Sequence, residues 1–591
     1  MKATIPRFNS LRSRRLGLLS LSLLIGVGAG LGAVAFRYMI EGGTYALTGF
    51  ADYTAHGHAA DPHIRWLGRW FVLITPVVAG LIYGPLVYRF AKEARGHGVP
   101  EVMVAVARNG GRIRPQVAAV KATASALCIA GGGSVGREGP IVQIGSALGS
   151  TLAQVFRLDE QRIKLLVACG AAGGIAATFN APLAGVFFAM EIILRAFETE
   201  AFGMVVLSSV TASVISRGIL GNHPFLTLPA FTVDHLVQYP LFALLGLVAG
   251  LIGVAFSRIL YAIEDACDWA WRGPEWARPA VGGLLLGLVL LLLPEMYGVG
   301  YPVLGKAVAG DYGIAFLIAL LAGKLVACSL TIGIGGSGGV FAPSLFCGAM
   351  AGAAYGDIVH AVAPVSGGSA GAYALIGMGA VFAGAARAPI TAVVILFELT
   401  GEYSIILPLM LAIVLATGIS HLISHDTVYT RKLLRRGIDI EEPANLRARR
   451  EPVSAFMAVP PQPIPAGADL REAARQFADS DTGHLPLIDT DGTYLGTVSA
   501  YDVMNALAAE DQAPVRALLK PADPVTPDSP LGDALDRLDH GAGAVPVVDT
   551  TGAITGWVRH RDLLDALSRR PTGPTARRIR TDRREPQGTS R

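Results

Sequence analysis

Several stretches of the 591-residue chain, each at least 18 residues long, contain no Asp, Glu, Lys or Arg. About 20 apolar residues let a helix cross a bilayer, and a charged side chain at its centre is costly. Hydrophobic residues make up 52% of the chain and charged residues only 16%, whereas soluble domains carry about 25% charged residues. We therefore predict an α-helical, multi-pass integral membrane protein. Among these stretches are residues 16–36, 71–88, 235–257, 325–356, 358–386 and 403–425.

Stretch 325–356 is too long and too rich in glycine for one straight helix. Five glycines lie between residues 333 and 339, and Pro343 follows them. Irregular backbone at membrane depth is tolerated only where protein encloses it. We predict two helical pieces separated by a loop that lines an enclosed cavity. The alternate glycines of 26–32, inside an unbroken stretch, are predicted only to allow close helix packing.

The membrane part contains one pattern twice, with copies 203 to 207 residues apart. Each copy has a Gly-rich break, followed by an Ala-Pro pair and a single Glu. Paired breaks at corresponding positions indicate a midplane binding site between inverted repeats. We predict halves at about 15–220 and 221–437, with broken and re-entrant helices. The equivalent residues are Ser134/Ser337, Gly136/Gly339, Pro140/Pro343, Gly145/Gly348, Ala181/Ala388, Pro182/Pro389, Val186/Val393 and Glu191/Glu398.

Basic residues flank the membrane part, within residues 2–15 before the first stretch and 431–436 after the last. Because cytoplasmic flanks are enriched in Lys and Arg, both termini are predicted to be cytoplasmic. We expect the membrane to be a bacterial inner membrane. The first apolar run is long enough to span. We therefore interpret residues 1–14 as a cytoplasmic N-terminus and not as a cleaved signal peptide.

The chain changes character at about residue 438, where charges become frequent and apolar runs shorten to strand length. One pattern recurs after 60 residues, and each copy is typical of helix, strand, Asp-x-x-Gly turn, strand and helix. We predict a linker at 438–456, modules at 457–508 and 515–567, and a basic disordered tail at 571–591 that alternatively rests on anionic lipid. The repeated residues are Pro486/Pro546, Asp489/Asp549, Gly492/Gly552, Gly496/Gly556, Val498/Val558 and Asp502/Asp562.

Each Gly-rich break directly precedes a helix. Pro140 suits a first helical turn, and the unpaired N–H groups there carry partial positive charge. Residues 336–343 repeat the arrangement, and two such helix ends bind an anion without a full charge. Glu138 lies where the amides converge, so it would replace the anion when ionised and swing aside when protonated. The alternatives are glycines that serve helix packing and a Glu138 salt bridge with Arg or Lys.

These motifs resemble the CLC family of chloride channels and chloride/proton antiporters. Residues 136–140 resemble its gating-glutamate motif, residues 339–343 its second motif, residues 96–100 its first motif and Lys121 its membrane lysine. The resemblance covers residues 15–437 and implies a homodimer with one anion pathway per subunit that carries chloride. It implies that Glu138 and Tyr429 are gates. The implied anion-binding residues are His97, Gly136, Arg137, Glu138, Gly139, Gly339, Val340, Phe341 and Tyr429.

Three positions depart from the family pattern. His97 stands where chloride-selective members usually have Ser and nitrate-selective members Pro, although an imidazole N–H also donates to an anion. Ile192 and Met103 stand where many antiporters carry acidic residues of an internal proton route. Two hypotheses remain open. One is a chloride/proton antiporter in which water or His97 replaces the relay, and the other is a passive chloride channel gated by Glu138.

The tail resembles a pair of CBS modules. In that family a Gly-x-apolar-Ser/Thr-x-x-Asp segment holds an adenosine nucleotide, which implies phosphate binding by Ser499 and ribose binding by Asp502. The second copy keeps Asp562 but has Arg559 in place of Ser/Thr. We predict one site for ATP, ADP or AMP that modulates transport. The alternative is that the modules only stabilise the dimer.

Other classes of function fit less well. The tail has no Cys/His cluster, Gly-x-Ser-x-Gly motif or phosphate loop with Lys, so we do not expect an enzyme. The five cysteines show no paired spacing, so neither a metal site nor a required cofactor is expected. A net charge of only +4 gives no basic field for nucleic acid. A membrane-anchored nucleotide sensor without anion transport remains the alternative function.

Overall fold

The computed structural model describes residues 15–56, 59–62, 65–221, 236–362, 369–440, 449–539, 543–561 and 563. The chain divides into two compact units, residues 1–440 and 441–591. The predicted N-terminus at 1–14, the predicted tail at 571–591 and Asp562 lie outside the described residues.

The described part of the first unit is built from α-helices joined by short loops and single helical turns. The first eight helices are α1 (Arg15–Thr48), α2 (Phe71–Phe90), α3 (Val99–Arg108), α4 (Gln116–Ala130), α5 (Glu138–Val155), α6 (Glu160–Phe179), α7 (Pro182–Phe188) and α8 (Thr199–Leu220). The next nine are α9 (Gln238–Ala270), α10 (Arg278–Leu292), α11 (Tyr301–Ala309), α12 (Ile314–Gly333), α13 (Phe341–Val362), α14 (Ala370–Ala386), α15 (Pro389–Thr400), α16 (Ile406–Ile423) and α17 (Thr430–Leu434).

The helices α9 to α16 repeat α1 to α8 in order. Helices α3 and α11 begin 202 residues apart, α5 and α13 begin 203 apart, and α7 and α15 begin 207 apart. The packing repeats as well, since α5 contacts α6 as α13 contacts α14, and α1 contacts α8 as α9 contacts α16. The helix order confirms the internal repeat predicted from the sequence.

Within the described residues, eight helices are long and apolar enough to cross a membrane. The predicted break is confirmed, because α12 ends at Gly333 and α13 begins only at Phe341. The helices of spanning length are Arg15–Thr48, Arg65–Phe90, Glu160–Phe179, Thr199–Leu220, Gln238–Ala270, Ile314–Gly333, Phe341–Val362 and Ile406–Ile423.

The alternate glycines of α1 serve helix packing, as predicted. A Cβ atom at Gly26 would lie 2.5 Å from the carbonyl oxygen of Ser208 on α8, and one at Gly30 would lie 2.9 Å from that of Ala212. No side chain fits at either distance. Glycine therefore lets the backbones of α1 and α8 touch.

The repeated Ala-Pro pairs and glutamates form two reciprocal helix caps. Glu398, near the end of α15, accepts hydrogen bonds from the amides of Leu183 (2.9 Å) and Ala184 (2.7 Å) at the start of α7. Glu191, just after α7, accepts them from Ile390 (3.1 Å) and Thr391 (2.8 Å) at the start of α15. Each glutamate thus satisfies the free amides of the other half.

The second unit contains two copies of a small α/β module. The first has β1 (Ile464–Pro465), α18 (Leu470–Ala478), β2 (His484–Ile488), β3 (Tyr494–Ser499) and α19 (Ala500–Ala508), with strand order β1-β2-β3. The second has α20 (Leu531–Asp539) and the antiparallel pair β4 (Val545–Val548) and β5 (Ile554–Val558).

The predicted Asp-x-x-Gly turns join the antiparallel strands in both copies. Gly492 and Gly552 both have φ +87°, which favours glycine, and their amides donate to Asp489 (3.0 Å) and Asp549 (3.1 Å). The helix, strand, turn, strand pattern is therefore confirmed in each copy. The predicted last helix of the second copy falls mainly on residues outside the described ranges.

The reciprocal caps make a prediction about stability. Replacing Glu398 by alanine leaves two amides of α7 without an acceptor, so we expect the free energy of unfolding to fall by about 1–2 kcal/mol. Denaturant unfolding in detergent micelles measures the change. Glu198→Ala is the matched control, because Glu198 is exposed and makes no side-chain cap. Equal stability of Glu398→Ala and Glu198→Ala would contradict the capping role.

Candidate functional site

The two Gly-rich breaks meet in the centre of the first unit. Gly136 donates to the carbonyl of Gly339 (2.8 Å), and Gly339 donates to the carbonyl of Gly136 (2.6 Å). These two glycines are equivalent residues of the repeat, and they form an antiparallel bridge. The bridge therefore joins corresponding positions of the two halves. The structure therefore brings together the segments that the sequence analysis singled out.

A third segment joins the pair. Gly96 donates to the carbonyl of Gly336 (3.0 Å), and Gly338 donates to the carbonyl of Gly96 (3.3 Å). A Cβ atom at Gly98 would lie 2.7 Å from the carbonyl oxygen of Gly139, and one at Gly339 would lie 2.7 Å from the Gly139 nitrogen. The three motifs reach this separation only because glycine has no side chain.

The break segments present unused backbone donors. Val340 and Phe341 enter α13, and Glu138 and Gly139 enter α5; all four residues are buried. Among the described residues, their amides donate to no backbone acceptor. Two helix amino ends with free N–H groups thus face a shared buried region. Such donors favour an anion through partial charges and hydrogen bonds.

Two buried lysines hold the segments around these amides. On α4, Lys121 Nζ donates to the carbonyls of Ala94 (2.9 Å) and Gly96 (2.6 Å). On α12, Lys324 Nζ donates to Ser134 Oγ (2.9 Å) and to the carbonyls of Gly298 (3.2 Å) and Val299 (3.0 Å). Both ammonium groups are fully buried, and these acceptors offset the cost of burying them.

Glu138 lies at the junction of the segments and is buried. Its Oε1 accepts a hydrogen bond of 2.5 Å from the phenol of Tyr301. Its Oε2 has no hydrogen-bond partner among the described residues. The carboxyl group lies near the backbone of Ala342, in the first turn of α13. Arg137 lies with its guanidinium carbon 5.1 Å from the centroid of the Tyr301 ring. The described side-chain hydrogen bond of Glu138 is thus with a phenol.

His97 is fully buried beside the same region. Neither ring nitrogen has a hydrogen-bond partner among the described residues, and the ring lies edge-on to Tyr261 at 6.1 Å between centroids. An unpaired buried imidazole is costly unless a ligand or water satisfies it. The ammonium of Lys432 lies beside neighbouring Gly96. The surroundings of His97 are therefore suited to an anion.

Tyr429 caps the short helix α17 and is 2% exposed. Its amide donates a hydrogen bond to Thr427 Oγ1 at 3.2 Å. The preceding residue, Val428, is fixed by bonds from Tyr261 Oη to its carbonyl (2.7 Å) and from its amide to Ala385 (2.9 Å). The backbone at Tyr429 is therefore held firmly beside the interior.

The positions of the family's inner proton route are apolar and buried. Ile192 and Met103 are each 5% exposed. The adjacent Glu191 carboxylate is already committed to capping α15. Within the described residues around these positions, the usual relay carboxylates are replaced by packing side chains.

In the second unit, two of the sequence-predicted nucleotide ligands are in contact. Ser499 caps α19, donates to Asp502 Oδ2 (2.6 Å) and accepts from the Asp502 amide (3.1 Å). The Lys520 ammonium lies 2.6 Å from the same carboxylate oxygen. The hydrogen bonds from Lys520 and Ser499 hold the pKa of Asp502 below its usual range. Arg559, at the position equivalent to Ser499, pairs with Asp481 (3.1 Å).

The sequence analysis missed Tyr301 and Lys324. The signal was present, since Lys324 follows Lys121 by 203 residues, and residues 298–302, Gly-Val-Gly-Tyr-Pro, match residues 96–100, Gly-His-Gly-Val-Pro. The repeat therefore extends upstream of the Gly-rich breaks and includes both residues.

Comparison with known proteins agrees with this geometry. The family model for the voltage gated chloride channel matches residues 79–421, and the CBS domain model matches residues 453–509 and 515–569. A Ralstonia nicotianae protein, provisionally named a ClcB-like chloride channel protein, is 34% identical over 71% of this chain and 98% of its own. The H(+)/Cl(-) exchange transporter ClcA of Vibrio parahaemolyticus is 35% identical over 63% of this chain and 80% of its own.

A solved structure has the same fold. The crystal structure of a slow cyanobacterial Cl-/H+ antiporter superposes with a TM-score of 0.63 and 26% sequence identity, covering 72% of this chain and 98% of that chain. The family model, the relatives and the shared fold lead to one conclusion. The chain belongs to the voltage-gated chloride channel (CLC) family and carries a C-terminal pair of CBS domains.

Proposed function

We propose that this protein transports chloride across the membrane through the amide-lined region between α5 and α13. The observation that carries the proposal is the mutual hydrogen bonding of Gly136 and Gly339, which sets two helix amino ends with free amides against each other. The Val340 and Phe341 amides bind the anion, while Gly136, Arg137, Gly139 and Gly339 shape the site. Partial charges hold a chloride weakly enough for it to leave again.

Glu138 is the gate of this pathway. Its carboxylate lies near the start of α13, so the ionised form competes with chloride for the same amides. Protonation removes the charge and frees the site. Tyr429 closes the pathway from the other side, and His97 donates an N–H to the passing anion.

The proposed transport is an exchange of chloride for protons. The Vibrio relative and the cyanobacterial neighbour are both named as chloride/proton exchangers, and Glu138 is a proton-carrying group inside the anion site. Buried water or His97 supplies the inner part of the proton route. A passive channel is the second candidate, which the apolar Ile192 and Met103 favour. A nucleotide sensor without transport fits less well, since it needs no duplicated amide site.

The protein acts as a homodimer in a bacterial inner membrane, with both termini in the cytoplasm. The support is the family membership together with the arginines that follow α16, among them Arg431 and Arg436. The CBS pair binds ATP, ADP or AMP at Ser499 and Asp502 and adjusts the transport rate. Asp562 would contribute from the second module.

The gate proposal predicts the behaviour of Glu138→Gln. Glutamine keeps the size of the side chain but cannot ionise, so chloride flux should lose its pH dependence and proton movement should uncouple from it. Chloride efflux and proton uptake by vesicles containing the purified protein measure both effects. Glu198→Gln, which alters an exposed carboxylate, should behave as the wild type.

Chloride/proton exchange and passive chloride conduction give opposite results in the same vesicles. An exchanger drives protons uphill when only a chloride gradient is present, whereas a passive channel moves chloride alone. Uphill proton movement in the wild-type protein supports exchange. Chloride flux without it would select the passive channel, and no chloride flux at all would refute the transport proposal.

The nucleotide site predicts a selective loss of binding. Titration calorimetry of the full-length protein with ATP, ADP and AMP should give a heat signal for at least one of them. Asp502→Asn removes a charged acceptor and should weaken binding by roughly 10- to 100-fold. Asp511→Asn, an exposed carboxylate that caps only Ala513, is the control. No heat with any nucleotide, or equal binding by the two variants, would contradict the site.

A further inference from the structure

One side chain supplies the described hydrogen bond to the gate carboxylate. Tyr301, the first residue of α11, donates its phenol O–H to Glu138 Oε1 at 2.5 Å. The other oxygen, Oε2, has no hydrogen-bond partner among the described residues. The guanidinium of Arg137 lies against the Tyr301 ring at 5.1 Å. The phenol is therefore positioned between the gate and a cation.

The backbone before Tyr301 is fixed by a buried charge. Lys324 Nζ donates to the carbonyls of Gly298 (3.2 Å) and Val299 (3.0 Å). Gly300 follows with φ +88°, which favours glycine. The same ammonium donates to Ser134 Oγ at 2.9 Å, in the segment that leads to Glu138. One ammonium group thus ties together the two segments that carry the phenol and the carboxylate.

Comparison of the two halves of the repeat shows that only the second half has a phenol at this position. In the matching first-half segment, 96–100, the position of Tyr301 is occupied by Val99, which cannot donate a hydrogen bond. Packing alone would accept an apolar residue in both halves. A phenol is found only in the half where it meets the Glu138 carboxylate.

We propose that Tyr301 is a positioning residue that latches the Glu138 gate in its closed, ionised state. The inference rests on the proposed function of Glu138 and deepens it. A phenol O–H stabilises a carboxylate more than a neutral carboxylic acid, because the bond to the charged acceptor is stronger. The latch opens when a proton neutralises Glu138 and the carboxyl group leaves the phenol. Tyr301 thereby sets the pH at which the gate opens.

Other polar groups also face Glu138. These are Arg137 on its own segment, Lys324 on α12 and Tyr429 before α17, whose interactions with the carboxylate are electrostatic. Tyr301→Phe removes a single oxygen and leaves these groups and the aromatic ring intact. Its effect therefore reports the loss of the phenol oxygen.

Chloride efflux from vesicles containing the full-length protein, measured as a function of pH, tests the latch. In the wild-type protein, flux should decrease as the pH rises and Glu138 loses its proton. Without the phenol the ionised carboxylate is less stable, so Tyr301→Phe should move the midpoint upward by about one pH unit. A midpoint equal to that of the wild type would overturn the proposal.

Tyr297→Phe is the matched control. Tyr297 is also buried and lies four residues before Tyr301, but its phenol donates to the carbonyl of Ala130 (2.6 Å) and not to the gate. Its midpoint should remain that of the wild type. An equal shift in Tyr297→Phe would show general loosening of the segment and would overturn the latch.

A double variant separates the gate from the pore. In the Glu138→Gln background, Tyr301→Phe should not change the flux further, because the ionisable partner is gone. An additional change there would place Tyr301 in the conduction path and contradict the latch. Absent chloride flux in the wild-type protein would instead refute the proposed function itself, together with this inference.

Infrared spectroscopy gives a second readout that does not depend on flux. The carboxylate stretching band of Glu138 is identified by its loss in Glu138→Gln. It should shift in Tyr301→Phe and remain unchanged in Tyr297→Phe. An unshifted band in Tyr301→Phe would overturn the proposed hydrogen bond in the membrane-embedded protein.

Discussion

The pair of hydrogen bonds between Gly136 and Gly339 is the constraint on which the membrane unit depends. Two irregular segments can remain at membrane depth only if their backbone groups are satisfied by protein. Each glycine satisfies its own equivalent in the other half. Within the part of the chain that the structure describes, the neighbouring amides of α5 and α13 are then left without backbone acceptors in the same buried region. The arrangement that stabilises the breaks also creates an environment for an anion.

Lysine and glutamate side chains hold the segments around this centre in both halves. Lys121 and Lys324 each hold the Gly-x-Gly-x-Pro segment of their own half, while Glu191 and Glu398 each cap a helix of the opposite half. A buried charge is stable only when several hydrogen bonds replace its water. Here most of the partners are backbone groups, so these charges hold the chain in place. Glu138 differs, because one of its oxygens has no hydrogen-bond partner among the described residues.

The sequence predicted the features that depend on local chemistry and on the main repeat. The break after α12, the duplicated helices and the turns at Gly492 and Gly552 follow from glycine, proline and periodic patterns. Contacts between residues that are distant in sequence were harder to predict. The reciprocal caps join residues about 200 positions apart, and the Tyr301 contact depends on a half-specific substitution in a short repeat. The repeated Glu indicated a shared role for Glu191 and Glu398. The packing of α7 against α15 identified this role as helix capping.

Physical chemistry explains part of the residue changes by which this chain departs from the family pattern. Ile192 and Met103 are buried among apolar side chains, where a single unpaired carboxylate would be costly. His97 keeps donor capacity at the place where a hydroxyl is usual. In the second unit, the Arg559 guanidinium forms an ion pair with Asp481. The Lys520 ammonium forms an ion pair with Asp502, the residue expected to bind ribose.

Crystallography with bromide in place of chloride tests the central claim most directly, because bromide scatters anomalously and marks its own position. We predict an anomalous peak beside the Val340 and Phe341 amides, and a further peak at the carboxylate position once Glu138 is replaced by glutamine. Bromide peaks only outside the Gly136 and Gly339 segments, in both proteins, would contradict the account.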